Sequence, residues 1–477
     1  MQRSERARFA HAARAARAAK AIALGLAVAM LAVLAGCGGA TTGAAQTTAA
    51  TTQAAATSAG ADAAETTAAP AADSGKPVEL RTAWQAGVGR PEILEDLVHK
   101  FEAANPNVTF VIETSEAGKY QPKIAMDVAA GNTPDVFTYW RPEPSYGVDK
   151  FIEKGALADL GELFDDPQFK DAYPEFAMST CTVDGVIYAL PAEYAFIMFY
   201  ANGALLSQMG LETPVTYDDF LNCMSVAKEN GIIPWAVSTK AFASGWERPL
   251  GYSFNRYLSN KGENGTLNAF KGDARFDSPQ AIEAANALYA LCAGNAAPDA
   301  MTLDDTQACE KYFNTGKALF FANGTYAFPA IGDGVRDDLV ALRWPDMPNA
   351  EFNGPMQDKD LVAVWYAAAT SWADPDKKPV IIDFLKFITN DEAADRLFYE
   401  ANSLVPNTDF TLDPARTHRA MIDAKAIADA GEQVKWPLSF ANPENKEPFY
   451  SVYTDFWSGN YTGEEFAARL QEIFYAG

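Results

Sequence analysis

From Pro77 onward the chain alternates between short apolar runs and longer stretches whose apolar side chains recur every three or four positions. Val78–Trp84 is a β-rich run. The segment from Pro91 to Asn105 then carries Ile93, Leu94, Leu97, Val98 and Phe101 on one stripe with a proline in its first turn, which predicts a helix. Asn105-Pro106-Asn107 stops it, and Val108–Thr114 resumes as a strand. Tyr120–Ala130 is a second helix closed by Gly131-Asn132, and a third strand begins at Asp135 and runs to Trp140. Strand, helix, strand, helix, strand with short loops predicts an α/β fold whose parallel sheet is covered by helices.

Downstream the signals are mostly helical. Thr216–Asp219 has the form of a capping box ahead of a stripe of Phe220, Cys223, Met224 and Ala227. Ser278-Pro279 opens a helix predicted to turn Ile282, Ala285, Leu288, Tyr289 and Cys292 inward. Asp383–Thr389 and Asn390–Ala401 are two adjoining helical pieces. Glu464–Phe474 closes the chain with Phe466, Leu470, Ile473 and Phe474 facing in.

The beginning follows different rules. Six basic side chains and one acid in residues 1–20 precede an apolar run, Ala21–Ala35, that is short for a membrane span and of the length of a secretory signal. Leu34-Ala35-Gly36-Cys37 looks like a bacterial lipobox, whose Cys thiol takes a diacylglycerol before cleavage. The expectation is a lipoprotein signal peptide over 1–36 and a mature chain lipidated at Cys37. From Gly38 to Ser74, 25 of 37 residues are Ala or Thr. Such a segment buries too little to offset its ordering entropy, so 37–77 reads as a tether.

Composition narrows the chemistry. The formal charge is −24, and removing the basic leader takes it to −29, which disfavours nucleic acid as a partner. Three His, no C-x-x-C and no H-E-x-x-H leave no support for a metal or another cofactor. Acid pairs such as Asp165-Asp166, Asp218-Asp219, Asp304-Asp305 and Asp337-Asp338 read as caps or solvated faces rather than catalytic carboxylates. Cys181, Cys223, Cys292 and Cys309 permit two disulfides, but apolar stripes around three of them favour buried thiols.

Several strings, in order, resemble one family. They are EILEDLVHKFEAANPNVTFVIET, YQPKIAMDVAAGNTPDVFTYW, GVIYALPAEYAFIMFYANGALLSQMGLETPVTYDDF, YFNTGKALFFANGTYAF and FLKFITNDEAADRLFYEANSLVPN. They are similar to the bacterial extracellular solute-binding proteins of ABC importers, in the group that includes the maltodextrin-binding proteins. The resemblance implies a two-lobed, periplasmic-binding-protein-like (type II) α/β fold with a hinge and an interlobe cleft. It implies crossings near Leu190–Phe196, Val340–Pro345 and Ser403–Thr408. Lobe one is then 78–192 plus 346–402 and lobe two 193–339 plus 409–477, with 340–345 and 403–408 between them.

A sugar presents apolar C–H faces and a rim of hydroxyls, so its site needs flat aromatic platforms among acids, amides or Arg. The candidates are Trp84 at the end of the first strand, and Tyr139, Trp140 and Arg141 after the third. Glu193 and Tyr194 follow Leu190-Pro191, Trp246 and Glu247 lie in an apparent loop, and Tyr326 stands where the family commonly has Trp. Tyr450 is a weaker candidate; Trp235, Trp344, Trp365, Trp372, Trp436 and Trp457 read as core or rim. The expected protein is a monomeric, non-enzymatic receptor, lipid-anchored on the extracellular face of the membrane, that carries a carbohydrate to an ABC permease. The alternatives are a receptor for another solute such as a polyamine, a secreted glycoside hydrolase, and a sensory or adhesion subunit.

Overall fold

The computed structural model describes residues 75–86, 90–116, 119–140, 147–240, 244–259, 265–408, 410–434 and 441–475. The expected signal peptide, the expected lipidation site Cys37 and the expected tether up to residue 74 lie outside these residues.

The opening alternation forms as the periodicity predicts: β1 (Val78–Gln85), α1 (Arg90–Ala104), β2 (Val108–Ser115), α2 (Tyr120–Ala130) and β3 (Val136–Tyr139). The buried residues of α1 are the five of the predicted stripe. Gly131 ends α2 at φ 73°, a left-handed conformation that a side chain would strain. β1 pairs in parallel with both β2 and β3.

Beyond β3 the sheet is mixed rather than parallel. The 13-residue strand β4 (Leu190–Asn202) is buried throughout. Next come α3 (Tyr217–Glu229), β5 (Ile233–Ala236), α4 (Ser244–Tyr257), α5 (Pro279–Cys292), β6 (Ala318–Gly324), β7 (Leu339–Leu342) and β8 (Met356–Ala367). Helices α6 (Lys377–Ile388), α7 (Asp391–Ala401) and α8 (Arg419–Ala430), strand β9 (Glu432–Val434), and helices α9 (Pro443–Trp457) and α10 (Gly463–Phe474) complete the chain. Among the described residues the main sheet runs β2-β1-β3-β8-β4-β6-β5, with β7 on β4 and β9 on β8. β8 is antiparallel to both β3 and β4, because a chain that leaves one half along β4 returns along β8.

One strand thus contributes to three cores: Tyr194, Phe196, Met198 and Tyr200 join one that also holds Tyr139 and Phe321, and its other residues divide between two more. Leu190–Phe196 lie against β8, whereas Ile197–Asn202 pair with β6 and β7. Leu190 and Ala192 join the core under α1, α6 and α7, and Ile197, Phe199 and Ala201 join the core built by α3, α4, α5, α9 and α10. Val340–Leu342 pair with Phe199–Ala201 at the far end of β4, and Tyr194 donates its backbone N–H to Leu404 O at 2.9 Å. Buried Arg256 on α4 donates to the carbonyls of Trp344 (3.2 Å) and Gly354 (3.0 Å), tying the β7–β8 connection to the second core. Burial lowers its pKa to about 10.

All four described cysteines are buried free thiols. Burial raises Cys223 to about 11 and Cys309 to about 12, and holds Cys292 well above its ordinary value, so none of these three is poised as a nucleophile. Among the described residues, no helix is long and apolar enough to cross a membrane.

Candidate ligand-binding site

The carboxyl ends of β1 and β3 and the first turn of α1 come together beside β4. There Arg90 Nε lies 2.5 Å from Glu193 Oε1. The approach is off the line of a hydrogen bond, so the contact is an ion pair. Arg90 Nη2 also donates to Thr138 Oγ1 at 3.4 Å. The Arg90 and Glu193 side chains are 13% and 3% exposed. Glu193 pairs with Ala363 where the β4–β8 register shifts, an irregularity that re-aims side chains.

Next to this pair stands an aromatic group. Tyr120, the first residue of α2, donates its hydroxyl to Thr138 O at 2.7 Å. Trp140 is partly buried and meets the rings of Tyr120 (6.0 Å) and Tyr139 (5.9 Å) edge-on. Burial keeps the Tyr120 and Tyr139 phenols protonated across the physiological range. The group can offer an indole surface backed by rigid rings, with a charge-compensated polar pair nearby. Among the described residues, no group of three or more His, Cys, Asp or Glu is arranged to hold a metal.

The structure therefore brings Trp140, Tyr139 and Glu193 to one sheet edge, with Tyr139 as a buried support rather than an open face. Tyr194 is 8% exposed, packs against Phe176 at 5.6 Å and points into a core. Tyr326 follows β6 and is 41% exposed; Gly324, two residues earlier, pairs with Ile197 next to the stretch of β4 shared with β8. Trp84 is wholly buried, on the face of β1 that also carries Val78 and Leu80. A ring with no exposed face cannot stack on a sugar, so Trp84 is a core residue in this conformation. Arg141 lies outside the described residues. Trp246 and Glu247 fall within α4 rather than a loop, and their side chains lie outside the described set. Tyr450 is buried in the second core, as are Trp235, Trp344 and Trp457, while Trp365 is in the first. Trp372 is partly exposed, and Trp436 is outside the described residues.

Arg90 and Tyr120 escaped the sequence reading. The one available signal was their position, each at the start of a helix that follows a parallel strand, where open α/β sheets bind ligands.

Comparison with known proteins agrees with this architecture. The profile of the bacterial extracellular solute-binding protein family matches residues 86–395. The maltodextrin-binding protein MdxE of Bacillus subtilis (strain 168) is 24% identical over 351 residues, covering 71% of this chain and 75% of its own. A chitin oligosaccharide binding protein superposes with a TM-score of 0.70 at 20% identity, over 83% of this chain and 98% of its own. RafE of Streptococcus pneumoniae, in complex with raffinose, gives 0.65 at 16% identity, over 83% and 98%. With the family profile matching residues 86–395, well over half of its length, the chain belongs to the bacterial extracellular solute-binding proteins.

Proposed function

We propose that this protein is a receptor that captures a sugar, an oligosaccharide by preference, and hands it to an ABC permease without chemical change. The observation that carries the reading is the Arg90–Glu193 pair, whose Arg90 reaches Thr138 two residues before Trp140. A neutral polyol needs donors and acceptors without net charge, next to an aromatic face. A polyamine needs uncompensated carboxylate, and Glu193 already has its cation. A retaining or inverting glycosidase needs two carboxyl groups across a cleft, about 5–9.5 Å apart, one of them free to act on the glycosidic bond. The named sugar ligands of MdxE and RafE point the same way.

The lobes move about β4, β8 and the segment 403–408 in this reading, since β4 and β8 are the long strands that contribute both to the core under α1, α6 and α7 and to the core under α3, α4 and α5. Ligand favours closure because only the closed form lets both lobes touch it. Tyr326 supplies the aromatic surface of the second lobe.

A thermal-shift screen against maltodextrins, chitooligosaccharides, raffinose, spermidine and peptides tests the ligand class, since a ligand bound only by the native state raises the melting temperature. Sugars should raise it. A rise with spermidine and none with any sugar would overturn the proposal. The lipobox and tether further support anchoring through Cys37 on the extracellular face of the membrane. Cys37→Ser should move the protein from the membrane fraction to the medium, and full membrane retention of that variant counts against lipidation there.

A further inference from the structure

Tyr326 is exposed, yet its ring lies against the backbone two residues back. A Cβ built on Gly324 would stand 2.1 Å from Tyr326 Cε1, 2.6 Å from Cζ and 2.7 Å from Cδ1. One edge of the phenol ring thus occupies the space that any other residue at 324 would fill. The backbone gives no reason of its own for glycine there, because Gly324 has φ −66° and ψ 159°, open to every L-residue. That backbone is also firmly held. Gly324 pairs with Ile197 of β4, and its N–H donates to the Asn323 side-chain oxygen at 2.8 Å.

We infer that Gly324 is the positioning residue for Tyr326: its missing side chain is the seat that holds the ring against the end of β6 for contact with a sugar. The inference rests on the reading of Tyr326 as a ligand contact. A platform seated before the ligand arrives loses little side-chain freedom on binding, whereas a displaced ring must be ordered each time. Ala at 324 pushes the ring off its seat. The obstructing atoms belong to a partly exposed side chain with room to swing away, so the fold itself tolerates the change.

The test is a double-mutant cycle of the parent, Gly324→Ala, Tyr326→Ala and the double variant, with maltotriose as probe. Fluorotyrosine at position 326 gives a second, ligand-free readout by ¹⁹F NMR. Gly324→Ala should shift or sharpen the 326 resonance, leave the melting temperature nearly unchanged and weaken maltotriose binding about 3–10-fold, the order expected when one side chain must be ordered on binding. In the Tyr326→Ala background it should change affinity no further. An unmoved resonance overturns the seat. So does a Gly324→Ala penalty of equal size in the absence of Tyr326, which marks a role unconnected with the ring. If Tyr326→Ala leaves maltotriose binding intact, the ligand contact fails while the resonance still decides whether Gly324 seats the ring.

Discussion

Arg90→Met should destabilise the native state by about 3–5 kcal/mol, the usual cost of leaving one member of a buried ion pair alone. Glu193 sits on a strand with every residue buried, and its side chain is 3% exposed, so water cannot replace the guanidinium. Methionine keeps the aliphatic length of Arg90 and removes only the charge and its donors. Glu193→Gln should cost less, because a neutral amide in that position carries no uncompensated charge. Replacing both partners, Arg90→Met with Glu193→Leu, should recover most of the loss, since apolar substitutes for a buried pair are often neutral or better. Urea denaturation followed by circular dichroism measures all three. Arg90→Met within about 1 kcal/mol of the parent, well under the cost of a stranded buried charge, would mean that the pair is solvated, and the charge argument against a polyamine ligand would fall with it.

What could be read from the sequence was whatever is local. The stripe of α1, the capping box at Thr216 and the glycine stop at 131 each depend on residues within one or two turns, and each formed as read. On α5, Ala285, Leu288 and Cys292 are buried as the stripe predicts, but two of its larger members are not. Ala281, Ala284, Ala285, Ala287, Leu288, Leu291 and Cys292 are its buried residues, while Ile282 and Tyr289 are only partly covered. The larger side chains looked like the buried ones. Instead the alanines face inward because α10 comes very close: a Cβ on Gly463 would lie 2.6 Å from Ala285 C. Small residues at a tight helix crossing are invisible to a count of hydrophobic bulk. The Arg90–Glu193 pair was illegible for another reason, since its members lie far apart in sequence and meet only when α1 is seated on the completed sheet. β8 was missed because its first half, Met356-Gln-Asp-Lys-Asp, reads as polar, and its partner strand β4 is defined only by the completed sheet.

Trp84→Ala should cost about 3–5 kcal/mol of stability, as large-to-small changes of buried aromatic residues do, whereas Trp140→Ala should leave stability nearly intact and weaken sugar binding. The two tryptophans stand at the ends of neighbouring strands, and the sequence makes both candidates for the ligand site. Strand alternation separates them: Trp84 is in step with Val78 and Leu80, whose face packs under α1 and α6, and it is 0% exposed. Its indole N–H also finds no acceptor among the described residues, so Trp84→Phe loses volume but removes a buried orphan donor and should cost clearly less than alanine. Trp140 lies one residue past the end of β3, outside the ladder, and stays partly open against Tyr120 and Tyr139. Losing that surface should weaken binding by about 1–3 kcal/mol, or about 5–150-fold in Kd. Denaturation and calorimetric titration on both variants settle the division of roles. A Trp140→Ala protein that binds its sugar as tightly as the parent would remove the aromatic platform from lobe one. A Trp84→Ala protein of undiminished stability would mean that its ring is not the core element its burial makes it.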